Sequence, residues 1–205
     1  EEKTPIFDNC IFTNVSCLSA LQFANCKVIQ IENCNFTSVE AYIENLNSPG
    51  GLLYINKATH FSLINCSLDS CGSPDRYKKS CFELCSSIVD AEVINCSFIN
   101  CGRCPYGAAV YAENVTNIII QNSTFFRNMA LGDPNDTLSV YVGSQTKRCE
   151  ISFCTIHTRQ ARSKNEIYQI RIKSESAIFI NNIFDKVDYG NEKENEGFGG
   201  VYFAD

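Results

Sequence analysis

One short pattern recurs along the whole chain, and no other feature constrains the fold as strongly. Ile94-Asn95-Cys96-Ser97-Phe98 is its clearest copy. Earlier copies are Phe7-Asp8-Asn9-Cys10-Ile11-Phe12, Glu32-Asn33-Cys34-Asn35-Phe36 and Ile64-Asn65-Cys66-Ser67-Leu68. Later ones are Gln121-Asn122-Ser123-Thr124-Phe125, Ser152-Phe153-Cys154-Thr155-Ile156 and Ile180-Asn181-Asn182-Ile183-Phe184. The key position of each copy (9, 33, 65, 95, 122, 153, 181) advances by 24, 32, 30, 27, 31 and 28 residues. A period near thirty with variable insertions marks a solenoid, in which each unit buries its apolar face against the next.

Two strand signals precede each key position. The first includes Leu21-Gln22-Phe23-Ala24, Leu53-Tyr54-Ile55-Asn56, Val110-Tyr111-Ala112-Glu113 and Ile170-Arg171-Ile172-Lys173. The second includes Val28-Ile29-Gln30-Ile31, Ala91-Glu92-Val93-Ile94 and Cys149-Glu150-Ile151. Apolar and polar residues alternate in many of them, the period of a strand with one buried face. No stretch sustains helical spacing. Strands without intervening helices pair in parallel only if the chain winds as a coil, strand upon strand about 4.8 Å apart. The expected fold is therefore all-β: a right-handed parallel β-helix of about seven coils of roughly 24–32 residues, essentially without helix. Residues 1–205 read as a single domain, cut from a longer chain, because neither end carries a cap over its open sheet edge.

Two apolar columns follow from this register. Phe7, Ile31, Leu63, Val93, Ile120, Ile151 and Phe179 lie two residues before the key position; Phe12, Phe36, Leu68, Phe98, Phe125, Ile156 and Phe184 lie three after it. Each such side chain contributes about 1.5–3 kcal/mol when buried. Asparagine holds six of the seven key positions, and the expectation is an inward ladder at the bend, bonding to the turn backbone. Of seven Asn-x-Ser/Thr sequons, that reading removes Asn65, Asn95 and Asn122 and leaves Asn14, Asn35, Asn114 and Asn135 as glycan acceptors. The longer insertions all follow the second column and so leave one corner of the rod, the side that solenoids often use for binding.

The chain holds thirteen cysteines. In composition alone that points to an oxidising compartment, hence to a secreted or cell-surface protein. Cys10, Cys34, Cys66, Cys96 and Cys154 share one column directly after the key position, which reads either as a ladder of buried thiols or as staples between coils. Parallel side chains suit a disulfide poorly, so the staple candidates are Cys71 and Cys101, six residues after the key position, with Cys81 and Cys104 in the adjoining loops. Zinc is weighed against this, because Cys81-x3-Cys85 and Cys101-x2-Cys104 have ligand-like spacing; the columns account for that spacing, and no metal or cofactor is expected.

A net charge of −6 argues against nucleic acid or an anionic membrane as partner, and no apolar run is long enough to insert in a bilayer. A late basic group, Arg159, Arg162, Lys164, Arg171 and Lys173, is the candidate contact for an anionic glycan. An enzyme acting on acidic polysaccharide would need clustered carboxylates. Glu83, Asp90, Glu92, Glu113 and Glu150 are the available ones, with Glu83 and Glu113 expected to stack across a coil boundary. No catalytic set emerges, and His60 and His157 are too far apart to form a dyad.

Gly50-Gly51-Leu52-Leu53-Tyr54, Gly107-Ala108-Ala109-Val110-Tyr111 and Gly199-Gly200-Val201-Tyr202 each open a coil; Phe12-Thr13-Asn14, Phe98-Ile99-Asn100 and Phe125-Phe126-Arg127-Asn128 each close a strand. Together they resemble the Gly-Gly-Ala-Ile and Phe-x-x-Asn repeats of the polymorphic membrane proteins, which are chlamydial autotransporter passengers and cysteine-rich surface proteins of some protists. The resemblance covers nearly the whole chain, although only residues 125–128 keep the full Phe-x-x-Asn spacing. It implies a right-handed β-helix shown outside the cell for adhesion, with no catalytic residues to carry over. The expected function is thus non-catalytic adhesion, binding or structural assembly. The expected partner is a surface or matrix glycan or protein, or copies of the chain stacked end to end. A polysaccharide lyase or glycoside hydrolase and a fibre subunit are the alternatives.

Overall fold

The computed structural model describes residues 4–17, 20–41, 52–72, 82–102, 109–128, 137–158, 168–185 and 201–203. All the regular structure among them is strand, and every pairing between strands is parallel. Two sheets form the walls of the solenoid. The long sheet takes both strand signals of each repeat. In the early repeats these merge into single strands, Leu21–Glu32, Leu53–Ile64 and Phe82–Ile94. Later they separate, as in Val110–Ala112 and Val115–Gln121, or Thr137–Val142 and Arg148–Ser152. Residues Asn25, Lys57 and Ser87 take positive φ in the early strands and bend them at the point where the later ones break.

The short sheet has seven strands, one per repeat, running from Ile11–Thr13 through Asn35–Thr37, Ser67–Asp69, Ser97–Ile99, Thr124–Asn128 and Thr155–Thr158 to Ile183–Asp185. Most are three residues long, too short for alternation to announce them. A two-stranded sheet, Ser16–Cys17 with Glu40–Ala41, completes the set.

Both predicted apolar columns are in register along their whole length. Phe7 pairs with Ile31, then Leu63, Val93, Ile120, Ile151 and Phe179. Phe12 pairs with Phe36, then Leu68, Phe98, Phe125, Ile156 and Phe184. Rings in the second column lie flat on one another: Phe12 on Phe36 at 4.7 Å and 4°, Phe98 on Phe125 at 5.0 Å and 1°. Apart from Phe184, which is exposed, these columns and their neighbours form one continuous core.

The corners correct the expected role of asparagine. All seven key residues lie in the left-handed region, with φ between 49° and 55°. Asparagine tolerates that conformation better than most L residues, and this accounts for its recurrence. The side chains, however, are exposed rather than inward, Asn65, Asn95 and Asn122 included. They form an outer ladder in which Asn95 Nδ2 donates to Asn65 Oδ1 and Asn65 Nδ2 to Asn33 Oδ1, both at 3.2 Å. Asn33 Nδ2 then donates to the Asp8 carboxylate at 2.8 Å. Inward orientation therefore gives no reason to exclude these sequons. A second left-handed set, Asn14, Ser38, Ser70, Asn100 and Arg127, turns the chain out of the short sheet.

Candidate functional site

The inner work at the first corner falls to the residue after each asparagine. Cys34, Cys66, Cys96, Ser123 and Cys154 are all buried, and the thiols of Cys10, Cys34, Cys66, Cys96 and Cys154 are free. Four backbone N–H groups in the column, those of Cys10, Cys34, Cys96 and Cys154, donate to the side chain one coil further on. Cys10 N reaches Cys34 Sγ and Cys34 N reaches Cys66 Sγ, both at 3.4 Å. Further along the column, Cys96 N donates to Ser123 Oγ at 3.1 Å. Cys154 N ends the series on Asn182 Oδ1 at 2.9 Å. Each side chain also donates to the carbonyl two residues back: Cys34 to Glu32 O at 3.1 Å, Cys96 to Ile94 O at 3.2 Å, Ser123 to Gln121 O at 2.9 Å. A short side chain that both gives and accepts a hydrogen bond is what this corner requires, and cysteine, serine and asparagine all qualify.

Burial shifts these thiols. It pushes Cys34 up to about 11, and it pushes Cys149, with help from the neighbouring Glu150 charge, up to about 12. The side-chain interaction with Cys66, and then burial, raises the pKa of Cys96, while the same interaction lowers that of Cys66. At the second corner, Cys71 Sγ contacts Phe36 O and Asp69 O at 3.4 and 3.3 Å, and Cys101 Sγ contacts Leu68 O and Ile99 O at 3.3 and 3.4 Å. Asn128 Oδ1 accepts from Cys101 N at 2.9 Å. Cys71 and Cys101 thus occupy a second ladder of the same kind. Their proposed loop partners, Cys81 and Cys104, lie outside the described residues.

One register column of the long sheet runs Gln22, Tyr54, Glu83, Tyr111, Tyr141, Arg171, Tyr202; Gln22 is exposed, Tyr54, Tyr111 and Arg171 are half-buried, and Tyr141 is buried. The expected stacking of Glu83 on Glu113 is not found, because Glu83 pairs with Tyr111. Counting the strands from their apolar residues places Glu113 on the same face two residues along. The rings of Tyr111 and Tyr141 stack at 5.1 Å and 10°. Tyr111 OH donates to Glu113 Oε2 at 3.0 Å. That carboxylate lies across Gly143, where an added Cβ would come within 2.7 Å of Cδ and Oε2.

The other half of the same face carries separate polar pairs. His60 Nε2 lies 4.0 Å from Glu92 Oε2, Asn117 Nδ2 donates to Asp90 Oδ1 at 2.8 Å, and Arg148 Nη2 donates to Glu150 Oε2 at 3.0 Å. Among the described residues no group of three or more His, Cys, Asp or Glu is arranged to hold a metal ion.

The short sheet contributes a cluster that was not anticipated. His157 Nδ1 is 2.8 Å from Asp185 Oδ2, the His157 ring stacks on Phe126 at 4.7 Å, and the Arg127 guanidinium lies 4.8 Å from the Phe126 centroid. Asp185 and His157 both sit four residues after their key position, so the repeat arithmetic alone would have paired them. Strands 124–128 and 137–142 flank residues 129–136, so the Phe126 and Tyr141 clusters border the same insertion from two sides.

The other sequence candidates scatter. Of the basic group, Arg171 lies in the tyrosine column and Lys173 two residues beyond it; Arg159, Arg162 and Lys164 lie outside the described residues. Asn14 and Asn35 are exposed, Asn114 is half-buried, and Asn135 lies outside the described residues.

The family described as the right handed beta helix region matches residues 1–156. The chain belongs to the right-handed β-helix family. The match extends from the first repeat through the sixth, so it covers both ladders and the tyrosine stack. No curated protein and no solved structure matches the chain. No helix among the described residues is long and apolar enough to cross a membrane.

Proposed function

We propose that this β-helix is a non-catalytic extracellular or cell-surface protein that acts in adhesion, docking a protein partner along the outer face of its long sheet. The observation that carries this reading is the column Tyr54, Glu83, Tyr111, Tyr141, Arg171. Tyrosine and arginine are the side chains most enriched where interface energy concentrates. Tyr111 and Tyr141 use a ring face on each other; Tyr111 is half-buried with its hydroxyl on Glu113, and Tyr141 is buried beside it. Such a row suits hydrogen bonding and edge packing against a protein better than flat stacking of sugar rings. An extracellular setting is supported by the family, whose members are commonly extracellular, and by the Gly-Gly and Phe-x-x-Asn copies that resemble the polymorphic membrane proteins. In that setting the exposed sequons, Asn14 and Asn35 together with Asn65, Asn95 and Asn122, are the glycan acceptors.

The test is binding of labelled chain to intact cells, to protease-treated cells and to glycosidase-treated cells. Protein docking predicts loss after protease alone and a drop of roughly ten-fold or more for Tyr111→Ala with Arg171→Ala, the size expected of interface hot spots. Loss after glycosidase alone would replace the protein ligand with a glycan. Cleavage of pectin, alginate or hyaluronan by the chain would overturn the non-catalytic reading. Concentration-dependent filaments in sedimentation would favour assembly instead.

A further inference from the structure

We propose that the corner ladder is a redox gate on folding: the rod closes only while Cys34, Cys66, Cys96 and Cys154 are thiols, and a chain oxidised before it folds stays open until reduced. The argument begins with what each sulfur does. Cys66 Sγ accepts from Cys34 N and reaches Ile64 O at 3.2 Å and Ile31 O at 3.5 Å. Cys96 Sγ reaches Ile94 O at 3.2 Å and Leu63 O at 3.3 Å. Every rung therefore ties two carbonyls on neighbouring coils to one S–H group, and the Cys34 and Cys66 sulfurs also take a backbone donor. A disulfide sulfur has no proton to donate, so each bridge removes two such donors from a corner that excludes water.

Geometry opposes the bridge as well. Stacked positions in parallel strands lie about 4.8 Å apart, which alone would permit a disulfide. The side chains of one column point the same way, however, and the bridge needs a torsion near 90° about its S–S bond. In the folded rod the ladder is also sealed, with Cys34 fully buried and Cys66, Cys96 and Cys154 no more than 2% exposed. Order of events thus decides the outcome. Folding first hides the thiols; oxidation first joins sulfurs that the rod needs apart.

The oxidant in the test is glutathione disulfide. Two protein thiols and one glutathione disulfide give one protein disulfide and two glutathione thiols, so the two electrons and both protons leave on glutathione. Native chain and urea-unfolded chain are incubated with it, the urea is diluted out, and β structure is followed by circular dichroism. Native chain is expected to keep its spectrum and its ladder thiols, which alkylate at least about a hundred-fold more slowly than in urea. Unfolded, oxidised chain is expected to regain no rod until dithiothreitol is added. A variant with serine at 34, 66, 96 and 154, the residue already present at 123, is expected to refold with or without the oxidant.

Mass mapping that finds a ladder disulfide in chain with the native spectrum would overturn the proposal. So would full refolding of the wild-type chain in glutathione disulfide. If the serine variant folds but is trapped by the oxidant as firmly as wild type, the trap lies in the remaining cysteines and the gate is refuted. If that variant does not fold, mass mapping of the trapped wild-type chain decides: bridges that spare Cys34, Cys66, Cys96 and Cys154 refute the gate, and bridges through them support it.

Discussion

Ser123 is the natural substitution within the thiol ladder, and it allows the ladder to be tested without redox chemistry. The residue is 1% exposed. Its Oγ accepts from Cys96 N at 3.1 Å and donates to Gln121 O at 2.9 Å. Ser123→Ala removes the acceptor and leaves the Cys96 N–H buried without a partner, which costs about 1–3 kcal/mol. The apolar core is untouched, because Phe125 and Ile120 lie in other columns. Ser123→Cys and Ser123→Asn keep a side chain that both donates and accepts, as those of Cys66 and Asn182 do in their own coils. Both should fall within about 1 kcal/mol of wild type if side-chain volume is accommodated. For a chain of this size the alanine loss corresponds to about 2–4 °C in Tm for each kcal/mol. Hydrogen exchange localises the effect: in Ser123→Ala the Cys96 amide should lose protection, while amides of the Cys34 coil should not. An alanine variant that melts with wild type and keeps its Cys96 amide protected would refute the ladder as the element that satisfies the corner backbone.

Gly143→Ala brings a Cβ within 2.7 Å of the Glu113 carboxylate and 2.9 Å of Glu113 O, so it should break the Tyr111–Glu113 bond and weaken cell binding together with stability; unchanged binding would separate that carboxylate from the docking face. Gly72→Ala places a Cβ 2.4 Å from Gly102 O at a φ of +143°, and a loss of about 1–3 kcal/mol from backbone strain is expected in urea unfolding, with the clash adding to it. Alkaline pH should destabilise the rod. Burial raises the folded pKa of Cys34 from 9.0 to about 11 and that of Cys149 to about 12, so the neutral thiols stabilise fully below pH 9 and that contribution is lost as pH rises through 11 to 12. The urea midpoint measured at pH 8, 9.5 and 11 should fall, and Cys149→Ser should flatten the fall; identical slopes would exclude Cys149 as a source.

Most of the architecture was legible because a solenoid writes its contacts into its period. Once Asn95, Asn65 and Asn33 are aligned, Phe98 falls on Leu68 and Phe36, and the observed register repeats that arithmetic coil by coil. Strand length was less legible. The three-residue strand Ser97–Ile99 is too short to show alternation, and Asn25, Lys57 and Ser87 bend strands without a break in hydrophobicity. Which way a corner residue points was not legible from its identity. Asparagine recurs at the key position for its backbone preference, and its amide, predicted inward, lies outside. The outer faces were legible only as columns. Tyr111 on Tyr141 and His157 beside Asp185 follow from the register, but the insertions between coils vary in length and carry no repeat from which a partner can be read.

The exchange of Cys, Ser and Asn at one corner also changes what the cysteine count means. High cysteine content in a chain of unknown origin ordinarily argues for disulfides and so for an oxidising compartment. Here five cysteines, Cys10, Cys34, Cys66, Cys96 and Cys154, are free thiols in one ladder, and Cys71 and Cys101 stand in a second. Each is accounted for by a buried corner backbone that needs a small group able to give and take a hydrogen bond. Serine at 123 and asparagine at 182 meet the same need without sulfur, and asparagine at 128 supplies the acceptor for Cys101 N. The ladder cysteines are therefore a consequence of the fold and carry no information about redox environment. Any case for secretion has to rest on the family and on the outer face. The ladder adds one constraint: if the chain does fold in an oxidising compartment, its corners must close before its thiols are oxidised.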